Sequence, residues 1–297
     1  MSNMKYKGFR PDWLLTPAPE DSYRSIFRWG DPHFFKYPKE SLYLMMKEVF
    51  HLTDDDFKSY SDDIGFDKVE LSGHPVALSR EHIDALKEIV GSVYVSTSDY
   101  DRLSVAYGCT AYDILRLRHK RVDSVPDAVV YPDTSEQVEK LVAYCAENDI
   151  PLYVYGGGSS VTRGVEPVKG GISLDMRKRF NKVISFNEID QTITVQAGMS
   201  GPVLEDTLHR AKELFGAKRA YTCGHFPQSF EYSSVGGWTV TRGAGQNSTY
   251  YGTISDIVLS QKYATPAGRI QTSHYPREAT GPNLNQIMLL RRIYSRA

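Results

Sequence analysis

The chain has 297 residues, of which 41% are hydrophobic and 24% charged, and 35 Lys and Arg offset 36 Asp and Glu to give a formal net charge of −1. A chain of this length buries about three-quarters of its unfolded surface, so it can form one or two domains with a hydrophobic core. The neutral balance disfavours a nucleic-acid-binding module and a polybasic membrane-surface segment. The composition also excludes collagen, coiled coil and bulk disorder.

The three cysteines, Cys109, Cys145 and Cys223, are widely spaced along the chain. Because no Cys-x-x-Cys or His-Glu-x-x-His occurs, we expect neither a zinc site nor a disulfide framework. This cysteine usage indicates a reducing compartment, by default the cytoplasm. The first ten residues are polar, which is unlike a secretory signal, and no run reaches the roughly 18–20 apolar residues of a transmembrane segment.

Two helices are predicted in the first third of the chain. Apolar residues recur at helical spacing from Leu42 to Phe50, and a second such stripe begins near Arg80 and stops at Gly91. Between them, Thr53 to Asp56 form a capping or helix-breaking sequence.

Residues 96–123 are polar and lack a clear period, so we interpret them as an irregular passage between two domains. Their basic run at residues 116–121 is interpreted as a solvated face, because an isolated charge run is typical of one. The sequence therefore predicts a mostly helical N-terminal segment at residues 1–123 and a second domain at residues 124–297.

The second domain begins with a βαβ unit. A short apolar run at residues 127–131 predicts a strand, and Thr134 and Gln137 have the spacing of a helix capping box. Residues 152–155 are the next strand, and two parallel strands joined by a helix form a right-handed crossover. The further predicted elements of this α+β chain are a strand at 172–176, a hairpin of 183–186 and 192–197, a helix opening at Gly201 and Pro202, and strands at 254–259 and 269–272.

A glycine triplet, Gly156–Gly158, directly follows the strand at residues 152–155. Glycines permit positive φ, so consecutive N–H groups can point into one concavity that receives a phosphate. Ser159, Ser160 and Thr162 add hydroxyl donors. The run is neither G-x-G-x-x-G nor a Walker loop. The residues by themselves favour a flexible turn and a phosphate nest about equally.

Two more motifs lie further along the chain. Small residues from Ser233 to Gly245 surround Trp238 and Arg242, as expected where a flat ligand approaches closely and a guanidinium meets an anion. Taken alone, however, the segment favours a glycine-rich loop around a core tryptophan. His225 lies just before this segment, and a lone histidine is usually structural. Two glycine-rich loops fit one long diphosphate cofactor better than two unrelated turns.

The order of these motifs is recognisable. Pro126-Asp-Ala-Val-Val-Tyr-Pro132, the Gly-Gly-Gly-Ser-Ser loop, Ile172-Ser-Leu-Asp175 and Gly224-His-Phe-Pro-Gln-Ser-Phe-Glu-Tyr-Ser-Ser-Val-Gly-Gly-Trp238 resemble the FAD-binding domain of vanillyl-alcohol-oxidase-type flavoproteins. Within that superfamily, the run through Arg242 is similar to the alkyldihydroxyacetonephosphate synthases (alkylglycerone-phosphate synthases) of ether-lipid biosynthesis. The resemblance implies a PCMH-type FAD-binding domain of two α/β subdomains, preceded by a mostly helical N-terminal segment.

The resemblance implies FAD as the cofactor. It implies non-covalent binding, because relatives that link FAD in this loop use a histidine where this chain has serines. It assigns no metal and leaves the catalytic residues unknown, with His225 as a weak candidate. The implied cofactor-binding residues are Val154, Tyr155, Gly156, Gly157, Gly158, Ser159, Ser160, Gln228, Ser229, Phe230, Glu231, Tyr232, Ser233, Ser234, Gly236, Gly237, Thr241, Arg242, Gly243 and Ala244.

In the family, a flavin N5 adduct exchanges acyl for alkyl on dihydroxyacetone phosphate, and the catalytic Tyr and His residues lie in a cap domain. The pattern is lost after Leu289, so we expect residues 290–297 to be a truncated or out-of-frame tail and the cap domain to be absent. The resemblance implies a small-molecule or lipid-precursor substrate and a homodimer. The alternatives are an FAD-linked D-2-hydroxy-acid (D-lactate or glycolate) dehydrogenase and an inactive remnant that binds FAD weakly or not at all.

Overall fold

The computed structural model describes residues 18–26, 39–58, 64–275, 279 and 281–289. In chain order its helices are α1 (Glu40–Phe50), α2 (Asp54–Lys58), α3 (Arg80–Val90), α4 (Asp99–Ser104), α5 (Ala111–Arg118), α6 (Ser135–Glu147), α7 (Gly201–His209), α8 (Ala211–Phe215), α9 (Val235–Thr241), α10 (Ser248–Tyr251), α11 (Ile254–Ile257) and α12 (Leu284–Met288), with 3-10 turns at Tyr23–Ser25 and Ser92–Tyr94. The strands are β1 (Val95–Ser96), β2 (Ala128–Val130), β3 (Leu152–Tyr155), β4 (Ile172–Asp175), β5 (Val183–Asn187), β6 (Thr192–Val195), β7 (Lys262–Thr265) and β8 (Gly268–Gln271). The tail predicted after Leu289 lies outside the described residues.

The chain divides into two compact units, and the first takes its described residues from 1–70 and 111–122. Helix α1 confirms the helix predicted from Leu42 to Phe50. Helix α2 begins with the expected cap, since the Thr53 amide donates to Asp56 Oδ2 at 2.7 Å and the Asp56 amide donates to Thr53 Oγ1 at 3.3 Å. The cap satisfies donors that the first turn leaves without partners.

The second unit takes its described residues from 71–110 and 123–297 and is built on a mixed sheet of order β1-β2-β4-β3. Strands β2, β4 and β3 are parallel, and β1 joins β2 antiparallel. Helices α3 and α6 bury Leu86 and Leu141 against this sheet. Strands β2 and β4 are buried at every position, as expected for parallel strands covered by helices.

A second core lies around α7 and α9, beside the antiparallel hairpin of β5 and β6. The hairpin confirms the predicted pairing of residues 183–186 with 192–197. Helix α7 opens at Gly201 with Pro202 in its first turn, as expected. Its Leu204 and Leu208 pack with Trp238 of α9.

The prediction that residues 96–123 are irregular was wrong. The segment contains α4 and α5, and Ser98 caps α4 by accepting a hydrogen bond from the Asp101 amide at 3.2 Å. Its polar residues hide a buried face, because the Arg102 guanidinium is satisfied by the carbonyls of Pro126 and His74 at 2.7 and 2.8 Å. A buried arginine that meets backbone acceptors cannot be recognised from hydrophobic periodicity.

The basic run at residues 116–121 is also not wholly a solvated face. Arg116 is buried in α5 and forms an ion pair with Asp113, whose carboxylate lies 2.9 Å away. The two residues are one helical turn apart, which places them side by side on the same face.

The strand predicted at residues 254–259 was wrong as well. Residues 254–257 form α11, which begins at a capping box in which Thr253 and Asp256 exchange hydrogen bonds. A short apolar run does not distinguish a strand from a buried helical turn. Here the capping box favours the helix, because it satisfies backbone donors of the first helical turn. Strand β8 agrees with the strand predicted at 269–272, whereas its partner β7 was not predicted.

The domain boundary at residue 124 remains a prediction. Helix α3, which precedes that boundary, packs on the sheet of the second unit and contacts α6.

Candidate functional site

The glycine triplet follows β3 at the carboxyl edge of the parallel strands, where α/β sheets place their ligands. Gly158 has a φ of 70°, the left-handed conformation that glycine adopts without steric cost. Within the part of the chain that the structure describes, the amides of residues 157–161 donate no hydrogen bond. Consecutive amide donors without acceptors form the receptor that an anion requires.

The glycine loop lies directly against the segment at residues 232–234. A Cβ on Gly157 would overlap the carbonyl oxygen of Tyr232 and lie 2.5 Å from the Cα of Ser233. A Cβ on Gly156 would lie 2.5 Å from Ser234 Oγ. Two backbone segments far apart in sequence therefore meet where only glycine leaves room. This contact brings together the two motifs that the sequence analysis singled out separately.

Most hydroxyl groups of the second motif have structural partners. Ser234 caps α9 by accepting from the Gly237 amide at 3.3 Å. Ser233 Oγ accepts from the Trp238 indole at 2.5 Å and donates to the Ser229 carbonyl at 2.7 Å. Phe230 covers Gly201, whose Cβ would lie 2.5 Å from its ring. These hydrogen bonds and packing contacts therefore hold the motif in place where it contacts the glycine loop.

Gln228 and Glu231 lie at the exposed surface of this segment. Glu231 accepts a hydrogen bond from the neighbouring Tyr232 hydroxyl at 2.6 Å. Neither side chain forms a hydrogen bond or ion pair with the glycine loop among the described residues. Their assignment to the cofactor stays a prediction.

His225 is 1% exposed, and neither ring nitrogen has a hydrogen-bond partner among the described residues. Its ring meets Trp238 edge-on at 4.9 Å between centroids, and a Cβ on Gly243 would lie 3.4 Å from Nε2. Burial lowers the pKa of His225, so the ring is neutral at pH 7. An unsatisfied buried polar group costs about 1–3 kcal/mol, which a ligand atom would relieve.

The predicted residues 241–244 lie around α12 and His225. Arg242 ends α9 in a left-handed conformation, with a φ of 50°, and its guanidinium donates to Gln286 Oε1 at 2.5 Å. Thr241 Oγ1 donates to the Gly237 carbonyl at 2.7 Å, whereas Ala244 is exposed. No hydrogen bond or ion pair among the described residues joins this segment to the glycine loop. Its role toward a cofactor stays a prediction.

Two charged residues at the ends of the parallel strands were missed by the sequence analysis. Asp175 ends β4, is 1% exposed, and receives Arg177 through two hydrogen bonds, Nε to Oδ1 at 2.9 Å and a terminal nitrogen to Oδ2 at 2.6 Å. The guanidinium also lies over the Tyr155 ring, 4.7 Å from its centroid. The carboxylate raises the pKa of Arg177. The signal that could have found the pair is its position at the end of a buried parallel strand.

Tyr131 occupies the corresponding position after β2 and was not predicted either. Lys178 lies over its ring, 4.2 Å from the centroid. Burial and the nearby Asp101 carboxylate raise the pKa of Tyr131, so the phenol stays protonated. The carboxyl edge of the sheet thus carries aromatic and charged side chains beside the glycine loop.

Residues 126–273 match the FAD-binding domain family. The chain is 35% identical over 191 residues to the alkyldihydroxyacetonephosphate synthase of Dictyostelium discoideum, an alignment that covers 63% of this chain and 30% of that protein. It is 28% identical over 211 residues to D-lactate dehydrogenase [cytochrome] 1 of Saccharomyces cerevisiae, covering 70% of this chain and 34% of that protein. A solved alkyldihydroxyacetonephosphate synthase structure matches with a TM-score of 0.65 and 30% identity over 74% of this chain and 37% of that chain.

The protein therefore contains a PCMH-type FAD-binding domain, and the homologues that share it are FAD-dependent enzymes. More particularly, it is a homologue of the alkyldihydroxyacetonephosphate synthases. The chain spans about a third of the length of the synthases that it matches.

The residues present fit FAD. The loop at residues 157–161 offers amides to a diphosphate, and the orphaned His225 imidazole offers a buried polar group to a ligand. Among the described residues, no cluster of His, Cys, Asp and Glu has the arrangement of a metal site. No helix in the same part of the chain is long and apolar enough to cross a membrane.

Proposed function

We propose that this chain binds FAD non-covalently, with the diphosphate on the amides of residues 157–161. The observation that carries this proposal is the row of amides without acceptors, held against the backbone of residues 232–234. Backbone donors at a glycine-rich loop neutralise a diphosphate without a covalent bond. Residues 228–234 and 241–244 would line the remainder of the cofactor.

Within the loop itself, the side chains suited to contact FAD are hydroxyls. Ser160 Oγ accepts from the amides of Thr162 and Gly164 at 3.4 and 3.2 Å, which closes the loop on itself. Ser159 has no hydrogen-bond partner among the described residues, so its hydroxyl can donate to a phosphate oxygen. This donor set favours reversible binding.

We further propose that the chain is the FAD-binding part of a flavoenzyme of the alkyldihydroxyacetonephosphate synthase type. FAD, when bound, would supply the reacting ring for the exchange of an acyl for an alkyl group. This chain's residues would hold and orient that ring and keep water away. The neutral, buried His225 is suited to accept or donate one hydrogen bond to a bound group without adding charge. The higher identity to the Dictyostelium discoideum synthase than to the D-lactate dehydrogenase supports this choice.

The test is the absorbance spectrum of the purified chain, before and after incubation with FAD and desalting. We expect a yellow protein with a flavin spectrum and a stoichiometry near one. Acid precipitation should release all flavin into the supernatant. Flavin that remains in the pellet would contradict non-covalent binding, and a colourless protein that takes up no FAD would contradict the proposal as a whole and favour the inactive remnant.

The second candidate is an FAD-linked D-2-hydroxy-acid dehydrogenase, which the similarity to a D-lactate dehydrogenase supports. The two candidates differ in net redox change, because a dehydrogenase leaves the flavin reduced and the acyl-to-alkyl exchange does not. Anaerobic addition of D-lactate to the FAD-loaded protein separates them. Bleaching of the flavin would refute the synthase-type proposal and support the dehydrogenase.

A further inference from the structure

We infer that the segment Tyr107-Gly108-Cys109 positions the glycine loop for diphosphate binding. The segment precedes the matched FAD-binding domain, which begins at residue 126. The inference rests on the proposed binding of FAD, and it assigns to Gly108 and Cys109 the role of positioning residues.

Three contacts join this segment to the loop. The Cys109 amide donates to the Ser160 carbonyl at 2.8 Å, and the Cys109 thiol donates to the Gly158 carbonyl at 3.2 Å. The Tyr155 hydroxyl, at the start of the loop, donates to the Tyr107 carbonyl at 3.3 Å. Cys109 thus binds the carbonyls of Gly158 and Ser160, the residues on either side of Ser159.

Because the peptide unit is planar and trans, holding a loop carbonyl also fixes the direction of the N–H that follows it. In a trans peptide unit, the C=O and the following N–H point in opposite directions. With the Gly158 carbonyl held by Cys109, the Ser159 N–H points away from Cys109. With the Ser160 carbonyl held there too, the Val161 N–H points the same way. Cys109 therefore aims two of the five amides without acceptors into one concavity.

Burial and close packing keep these contacts in place. Cys109 is 2% exposed, so water does not compete for the two carbonyls. Gly108 allows the approach, because a Cβ there would overlap the Ser160 carbonyl oxygen. The loop is therefore oriented before any ligand arrives, which spares the ligand the entropy cost of ordering it.

The test compares Cys109→Ala with Cys145→Ala. Cys145 is a matched control, because it is 3% exposed in the core beneath the sheet and no hydrogen bond among the described residues joins it to the loop. We expect Cys109→Ala to weaken FAD binding about three- to tenfold by flavin-fluorescence titration, and Cys109→Ser, which keeps an O–H donor, to restore most of it. Cys145→Ala should lower the melting temperature but leave the Kd for FAD unchanged. Equal Kd changes in the two alanine variants would overturn the inference.

A second comparison uses Gly108→Ala and Gly73→Ala, since a Cβ at Gly73 meets nothing within 4 Å. Gly108→Ala should weaken FAD binding about 30-fold or more, because the added Cβ forces the glycine loop away from Cys109. Gly73→Ala should leave it unchanged. The inference is wrong if Gly108→Ala keeps the wild-type Kd.

Two readouts without FAD separate this inference from the proposed function. The Cys109 amide of the wild-type protein should exchange slowly with deuterium, and this protection should be lost in Gly108→Ala. Titration with inorganic pyrophosphate should shift the Ser159 and Val161 amide resonances in the wild type and much less in Cys109→Ala. A rapidly exchanging Cys109 amide would refute the inference even if FAD binds, whereas slow exchange together with the pyrophosphate shifts would sustain it even if FAD does not bind.

Discussion

Substituting Gly157 by alanine tests the contact on which the candidate site depends. The added Cβ would overlap the Tyr232 carbonyl oxygen and lie 2.5 Å from Ser233 Cα, whereas carbon atoms in contact stay about 3.5–4.0 Å apart. The loop and the segment at residues 232–234 must then separate by about 1 Å or more. Since both neighbours are backbone, no side-chain rotation relieves the clash. We expect the upper end of the usual overpacking cost, about 3 kcal/mol.

If that cost falls on the loop conformation that binds the diphosphate, the affinity for FAD drops about 100-fold. Gly156→Ala should cost less, because its Cβ would meet the rotatable Ser234 hydroxyl at 2.5 Å and the loss is limited to an N-cap, about 1 kcal/mol. Gly73→Ala should change nothing. The assay is flavin-fluorescence titration together with urea unfolding of the same preparations. If Gly157→Ala binds FAD as tightly as Gly73→Ala does, the backbone contact is not part of the site.

Four further outcomes are expected. His225→Phe should raise or preserve the free energy of unfolding of the FAD-free protein in urea, because it removes two unsatisfied buried nitrogens. The same substitution should weaken FAD binding. A large loss of stability would contradict the absence of hydrogen-bond partners for the imidazole. Burial lowers the pKa of His225, so on acidification the unfolded chain binds a proton at this residue before the folded chain does. The wild type should therefore lose stability relative to His225→Phe as the pH falls below about 6.5, by at most about 1.4 kcal/mol per pH unit. If the free energies of unfolding of the two proteins change with pH in parallel, the ring is not desolvated. Asp175→Asn should lower the free energy of unfolding in urea by about 2 kcal/mol, which is less than for a fully buried ion pair because Arg177 keeps partial solvent access. A change below about 0.5 kcal/mol would show that the pair does not stabilise the fold. Thr253→Ala should cost about 1 kcal/mol by removing the cap of α11, and an unchanged free energy of unfolding would argue against that helix start.

Local signals predicted the elements around the site well. Strand β3 has the predicted bounds, since Pro151 and Gly156 delimit it, and α6 begins after Thr134, whose side chain accepts from the Gln137 amide at 3.2 Å. Such boundaries depend on residues within one turn or one strand of each other. Strand β7 escaped prediction because its four residues are mostly half-buried and show no alternation of exposed and buried positions.

The sequence alone determined that a glycine loop follows a parallel strand and that a family fingerprint for FAD lies downstream. Tertiary structure decided which groups face that loop. The backbone of residues 232–234 fills the space beside Gly157, Cys109 holds two of the loop carbonyls, and Arg177 pairs with Asp175 next to Tyr155. The first two contacts join residues far apart in the chain, and all three depend on how strands β3 and β4 and their loops pack. Hydrophobic periodicity reports which face of an element is buried, but it carries no information on which backbone atoms meet across the fold.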